Sequence, residues 1–172
     1  MSYSIRPILP GLFLAVLTLL FGFFLGVVFG LNEEAIKSRL VASAAAVDVA
    51  VYQQDATAAK AVVDKSWSYM QRAHLHAGSL GAVAAILSLV LVALRTAPRI
   101  ATVISTALGA GGLGYSVFWM WAGFRAPGLG STGAAKESLA WLAIPSSGSV
   151  VAATVAVAFL ITRQILSGRE PV

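Results

Sequence analysis

The sequence contains no cysteine, and only 11% of its residues are charged. The absence of cysteine excludes disulfides, thiolate metal sites, iron–sulfur clusters, covalently attached c-type haem and cysteine nucleophiles. Only two histidines are present, which excludes a site with three imidazole ligands from one chain. Apolar residues are abundant: 58% of the 172 residues are hydrophobic and the mean hydropathy is +0.84. This composition predicts an integral membrane protein.

Four apolar stretches are each long enough to cross a hydrocarbon core of ~30 Å as a helix, which takes about 20 residues. They are Ile8–Leu31, Leu75–Leu94, Ile100–Phe124 and Ser147–Leu166. The first is longer than the apolar region of a signal peptide and is interpreted as an uncleaved span. The sequence therefore predicts an all-α integral membrane protein with a bundle of four transmembrane helices in a single domain, residues 1–172.

The distribution of basic residues predicts the orientation of these spans. The side of the membrane that holds the two termini has five arginines and one glutamate. The other side has seven Lys or Arg residues and six Asp or Glu residues, which nearly balance. We therefore expect both termini to be cytoplasmic and the protein to reside in the cell inner (plasma) membrane. This orientation also explains the net charge of +5, so no nucleic-acid partner is expected.

Residues 32–74, between the first two spans, are predicted to form an outer helical hairpin. Asn32 is a suitable N-cap for a first helix over Glu33–Tyr52, where apolar residues recur at helical spacing. After a turn at residues 53–55, nothing breaks a second helix over Thr57–Leu94. That helix would be ~57 Å long, so about half of it stands outside the bilayer. Since two helices alone bury little surface, we expect the hairpin to dock on a partner or on a second copy.

Small residues recur at four-residue spacing in the spans and predict close helix packing, chiefly within the chain. The ridges are Gly22, Gly26 and Gly30 on the first span, Ala77, Gly81 and Ala85 on the second, and Ala107 with Gly111 on the third.

Both histidines lie at the predicted outer end of the second span. His74 and His76 are two positions apart and point ~200° from each other on a helix, so they cannot bind one ion together. His76 and Met120 lie at nearly the same depth when counted from the cytoplasmic ends of their helices. One histidine with Met120 is therefore a candidate axial pair for b-type haem. Met70 and His74, four positions apart, are candidate ligands for a copper ion. The competing interpretation is a structural or headgroup contact for each histidine.

A second candidate pocket, for a quinone or another small ligand, lies at the predicted outer ends of the third and fourth spans. Its residues are Arg125, Ser146, Ser147, Trp119 and Trp121. The alternative for the serines is that they satisfy backbone groups freed by Pro145.

No acidic or basic residue lies in the middle of a span, which disfavours a proton relay, and no inverted repeat suggests a secondary transporter. The function we expect is that of a small membrane subunit that binds haem b near the outer face and passes electrons between that face and the quinone pool. Such a subunit is non-catalytic or an electron carrier rather than a stand-alone enzyme. The main alternative is a cofactor-free accessory or assembly subunit of a larger membrane complex, and a small-solute channel or transporter is less favoured. The expected partners are the lipid bilayer and either other subunits or a homo-oligomer.

Overall fold

The computed structural model describes residues 4–168, which are helical almost throughout and contain no strand. The helices are α1 (Leu9–Ala45), α2 (Ala56–Ala93), α3 (Pro98–Leu129), α4 (Thr132–Glu137) and α5 (Ala140–Leu166). All except the short α4 are long and apolar enough to cross a membrane. The prediction of an all-helical chain with four such helices is confirmed.

The bundle is built around α3, which contacts α1, α2 and α5. Large apolar side chains remain exposed on the surrounding helices, as expected of surfaces that face lipid. Six phenylalanines and valines on α1 and α5 are at least 62% exposed: Phe13, Phe23 and Phe24 on α1, and Val151, Val155 and Phe159 on α5. Buried residues form two clusters, one around Met70 and Phe118 and the other around Leu91 and Leu108.

Small residues bring α1 and α2 together between these clusters. A Cβ atom at Gly22 would lie 3.1 Å from the Cβ of Ala77, and one at Gly81 would lie 2.8 Å from the Cγ of Leu19. The predicted role of the small-residue ridges in packing within the chain is confirmed at these positions. Gly30 differs, because a Cβ there would have no neighbour within 4 Å.

Residues 32–74 form a helical hairpin with a first arm, residues 32–52, and a second arm, residues 56–74. A single π-helical turn, Asp48–Tyr52, ends the first arm, and Gln53 and Gln54 then adopt positive φ. Asp55 caps α2, because its carboxylate accepts two backbone N–H bonds at 2.9 and 3.0 Å. The predicted turn and continuous second helix are confirmed, whereas the location of the hairpin outside the bilayer stays a prediction.

The prediction that the Asn32 side chain caps a new helix is wrong, although Asn32 does mark a boundary between two helical segments of α1. Helix α1 continues through Asn32, whose φ of −131° and ψ of 23° mark a kink. The Asn32 side-chain amide donates to the carbonyl oxygen of Val28 at 3.2 Å, so it serves the preceding turn instead of the following one. The first arm is therefore a continuation of the first span, and its α-helix ends at Ala45 before the predicted end at Tyr52.

The helices that contain the predicted third and fourth spans extend beyond those spans. Helix α3 passes Phe124 and ends at Leu129 beside the hairpin tip, where the Tyr52 hydroxyl donates to the Pro127 carbonyl oxygen at 2.7 Å. Helix α5 begins at Ala140, about two turns before the predicted start of the fourth span at Ser147. The hairpin is thus supported by α3 and is not an isolated pair of helices.

Candidate functional site

The two histidines lie on different faces of α2, as their spacing predicts. His74 faces α1, with its Nδ1 2.8 Å from the carbonyl oxygen of Gly22. The imidazole occupies space left by a second glycine, since a Cβ at Gly26 would lie 2.8 Å from the His74 Cε1. Nδ1 must carry the proton to donate to a carbonyl, which leaves the lone pair on Nε2. His74 is therefore held in the tautomer whose Nε2 can bind a metal.

A recess of about 390 Å³ lies beside His74 on the seam between α1 and α2. Its walls are apolar and aromatic, apart from a few polar groups. The lining residues are Gly26, Phe29, Gly30, Glu33, Trp67, Gln71, His74 and Leu75. Within residues 4–168, no three His, Asp or Glu side chains come together as a metal site. A ligand at this recess would therefore have His74 as its single imidazole partner from the chain.

His76 faces α3 and packs among aromatic rings. Its ring centroid lies 5.2 Å from that of Tyr115 and 6.2 Å from that of Trp119. The Arg72 guanidinium carbon lies 5.1 Å from the Trp119 ring centroid and 5.5 Å from that of Tyr69, in cation–π geometry. The Trp119 Nε1 is buried and has no hydrogen-bond partner among the described residues. His76 thus belongs to an aromatic and cationic cluster that is separate from the His74 recess.

The two candidate methionines take different positions. Met120 lies on α3, partly buried, one position beyond Trp119 and therefore about 100° round the helix from it. It packs against the buried cluster that contains Met70 and Phe118. Met70 is fully buried, and its Cγ would lie 2.6 Å from a Cβ at Gly123. Met70 therefore packs α2 against α3.

The structure does not bring the residues of the second candidate pocket together. Ser146 is buried against α3 at the level of Gly114, which is eleven residues and about 16 Å of helix rise from Arg125. Trp121 pairs with Trp141, at a ring-centroid distance of 6.3 Å. Trp119 instead faces α2. The Ser147 hydroxyl donates to the Ala143 carbonyl oxygen at 2.8 Å, a backbone contact close to Pro145.

Buried polar groups elsewhere in the bundle are confined to hydroxyls. In the described chain, no charged side chain is buried. Five hydroxyls with no exposure each donate to a backbone carbonyl of their own helix: Thr18, Ser66, Ser88, Ser105 and Ser116. These hydroxyls are satisfied locally, so they provide no polar lining for a solute pathway.

The hairpin contains a feature that sequence reasoning missed, an open groove of about 710 Å³ between its two arms. Small and apolar residues form most of its wall, and four charged residues lie along it. The lining residues are Lys37, Val41, Ala44, Ala45, Asp48, Ala56, Ala59, Lys60, Val63, Asp64 and Trp67. The alanines clustered on both sides of the tip could have indicated a groove. The charged residues among them, however, are also typical of an ordinary solvent-exposed helix face.

Comparison of the chain with protein-family models, with curated proteins and with solved structures finds no match.

Proposed function

We propose that the protein is a small multi-pass subunit of a membrane complex and that its hairpin docks on another polypeptide outside the bilayer. The observation that carries this proposal is the groove, whose wall includes a 54% exposed Val41 and the alanines of both arms. Burying apolar surface contributes about 25 cal/mol per Å², so an open apolar groove in water favours a protein partner.

The charge of the hairpin supports its placement outside the bilayer. Residues 32–74 contain five Lys or Arg residues and five Asp or Glu residues, whereas the three spans that the sequence predicts up to Phe124 contain none. Each such charge costs about 2.5–3.5 kcal/mol at the centre of a membrane helix. In addition, α2 has 38 residues and a length of about 57 Å, nearly twice the thickness of the hydrocarbon core.

The positive-inside rule supports the orientation in this proposal. The arginines at the ends opposite the hairpin favour a cytoplasmic location for both termini, in a cell whose inner membrane would hold the protein.

A substitution in the groove tests the docking function. Val41→Asp places a carboxylate in the groove, and Val49→Asp is its control, because Val49 is 71% exposed and does not line the groove. We expect Val41→Asp to release the protein from its native assembly, seen as a smaller species in native electrophoresis of solubilised membranes. Val49→Asp should leave the assembly intact. An assembly of unchanged size in Val41→Asp would remove the docking function. Leu40 is unsuitable as a probe, since it is 1% exposed and belongs to the core.

A second candidate function, electron transfer by a haem-bearing subunit, is favoured by the hydrogen bond of His74. Ligating histidines commonly donate their other ring nitrogen to a backbone carbonyl, as His74 does to Gly22. In this proposal His74 would supply Nε2 to the iron of haem b, and the second axial ligand would come from another chain. The pairing of Met120 with His74 or His76 stays a prediction.

The matched variants for this candidate are His74→Asn and His76→Asn. An asparagine amide nitrogen can replace Nδ1 as the donor to Gly22, so the first variant keeps the structural bond and loses Nε2. We expect His74→Asn to abolish the Soret band of the purified protein and His76→Asn to retain it. Met120→Ala should leave the spectrum unchanged if both ligands are histidines. Protein from haem-replete cells that shows no visible absorbance and no bound metal would exclude this function.

A further inference from the structure

The rim of the groove carries two basic and two acidic residues, so its net charge is zero. On the first arm, Lys37 lies toward the spans and Asp48 toward the hairpin tip. On the second arm, Asp64 lies toward the spans and Lys60 toward the tip. At each end of the groove, one arm therefore carries a positive charge and the other a negative charge. Within the chain, Lys60 also pairs with Asp64 and Lys37 with Glu33, so a second copy would share these charges with their intrachain partners.

Copies of a membrane protein that share one orientation can pair about a two-fold axis along the membrane normal. When two such copies meet groove to groove, the first arm of each lies opposite the second arm of the other at the same height. Asp48 of one copy then faces Lys60 of the partner subunit, and Lys37 of one copy faces Asp64 of the partner subunit. The rotation generates each contact twice, and all four contacts join opposite charges.

We infer that the groove is the contact surface between two copies of this chain, which pair about this axis as a four-helix bundle outside the bilayer. The inference rests on the proposed docking function, because it names the occupant of the same groove. A rim with no net charge and with signs that match under a two-fold rotation favours a second copy over a partner of one sign. The groove alanines, Ala44, Ala45, Ala56 and Ala59, have side chains short enough for helices of two copies to approach closely.

Cross-linking of single-cysteine variants tests the contact. The natural chain has no cysteine, so Val41→Cys and Val49→Cys each introduce a single thiol, one in the groove and one outside it. For purified protein in phosphatidylcholine vesicles, a short bifunctional maleimide should join Val41→Cys into a covalent dimer and leave Val49→Cys monomeric. Equal yields from the two variants, or no dimer from Val41→Cys, would overturn the inference.

Charge exchange tests the two-fold arrangement. Asp48→Lys and Lys60→Asp should each raise the dissociation constant of the dimer by about tenfold, because every dimer then has two like-charged contacts. Mixing the two variants should restore pairing, since the mixed dimer contains Lys at position 48 opposite Asp at position 60, and Asp48 opposite Lys60. Energy transfer between copies labelled at the hairpin tip measures these constants. Misfolding of either variant could not be rescued by mixing, so a mixture as weak as its components would overturn the two-fold arrangement.

Failure of the inference is distinguishable from failure of the docking function. A maleimide that carries a photoreactive diazirine attaches to Val41→Cys and can join it to any polypeptide in contact. If Val41→Cys stays monomeric in vesicles but is cross-linked in this way to a different polypeptide in native membranes, the two-fold pairing is wrong and the docking function stands. If it is cross-linked in neither setting, both are wrong.

Discussion

Replacement of Tyr52 by phenylalanine tests whether the hairpin tip is held by α3. The Tyr52 hydroxyl donates to the Pro127 carbonyl oxygen across 75 positions in the sequence, at 2.7 Å, and the side chain is 6% exposed. A hydrogen bond of this kind contributes about 0.5–1.5 kcal/mol. Its loss should make local opening of the tip about fivefold more frequent, since about 1 kcal/mol corresponds to that factor.

Amide hydrogen exchange of the protein in lipid nanodiscs measures this opening. We expect Tyr52→Phe to lower protection by about fivefold at the tip and at the end of α3, with little change in the spans. Tyr69→Phe is the control, because Tyr69 is 3% exposed but its hydroxyl makes no hydrogen bond within the described chain. Unchanged protection at the tip of Tyr52→Phe would refute the idea that α3 supports the hairpin.

The same contact predicts a dependence on pH. Burial raises the pKa of Tyr52 above the ordinary value of 10.0. The folded pKa is therefore higher than the unfolded one, so the stabilisation is complete below about pH 10 and is lost as the pH rises through the folded pKa. An ultraviolet titration of tyrosinate, taken as natural protein minus Tyr52→Phe, should show that Tyr52 ionises above pH 10. A difference curve centred at or below pH 10 would contradict this prediction.

Three further perturbations test the fold and its orientation. Gly81→Leu should lower the free energy of unfolding in detergent by about 1–3 kcal/mol because α1 fills the space, whereas Gly78→Leu should have little effect, since a Cβ there has no neighbour within 4 Å. Asp55→Ala removes the N-cap of α2 and should destabilise that helix by about 1 kcal/mol, which would appear as faster amide hydrogen exchange in its first turn. Cysteines introduced at Gln54 and Ser131 should both react with a membrane-impermeant maleimide in intact cells, and labelling only after lysis would reverse the proposed orientation.

Composition and local signals were sufficient to predict the helices but not where they end. The residue types at positions 53–55 predict a turn, and α2 begins directly after it, where Asp55 caps the helix and both glutamines adopt positive φ. Asn32 gives an equally good local signal, yet α1 continues through it, because a long helix loses fewer backbone hydrogen bonds at a kink than at a break. Pro127 likewise lies within α3 although it removes a donor, because the helix end packs against Tyr52.

The candidate site could be predicted in part, because helical spacing determines direction but not neighbours. The spacing of His74 and His76 required that they face different ways, and the structure confirms this. Which helix each would face depends on the rotation of α2 in the bundle, and Gly22 and Gly26 set that rotation by admitting the His74 ring. The same applies to Met70. Its spacing from His74 suits a pair of metal ligands, but the Met70 side chain instead fills the space that Gly123 leaves on α3.

The two proposed functions meet at Trp67, which lines both the groove and the His74 recess. Both openings follow the same seam between α1 and α2, so copies that pair through their grooves bring their His74 recesses toward the same two-fold axis. A haem held by His74 from each copy would then require the pairing, because one chain supplies a single imidazole on that side. In this case Asp48→Lys should weaken the Soret band together with the dimer, and mixing with Lys60→Asp should restore both. If the protein binds haem and the band persists in monomeric Asp48→Lys, the second ligand comes from within the chain, and the shared site is wrong.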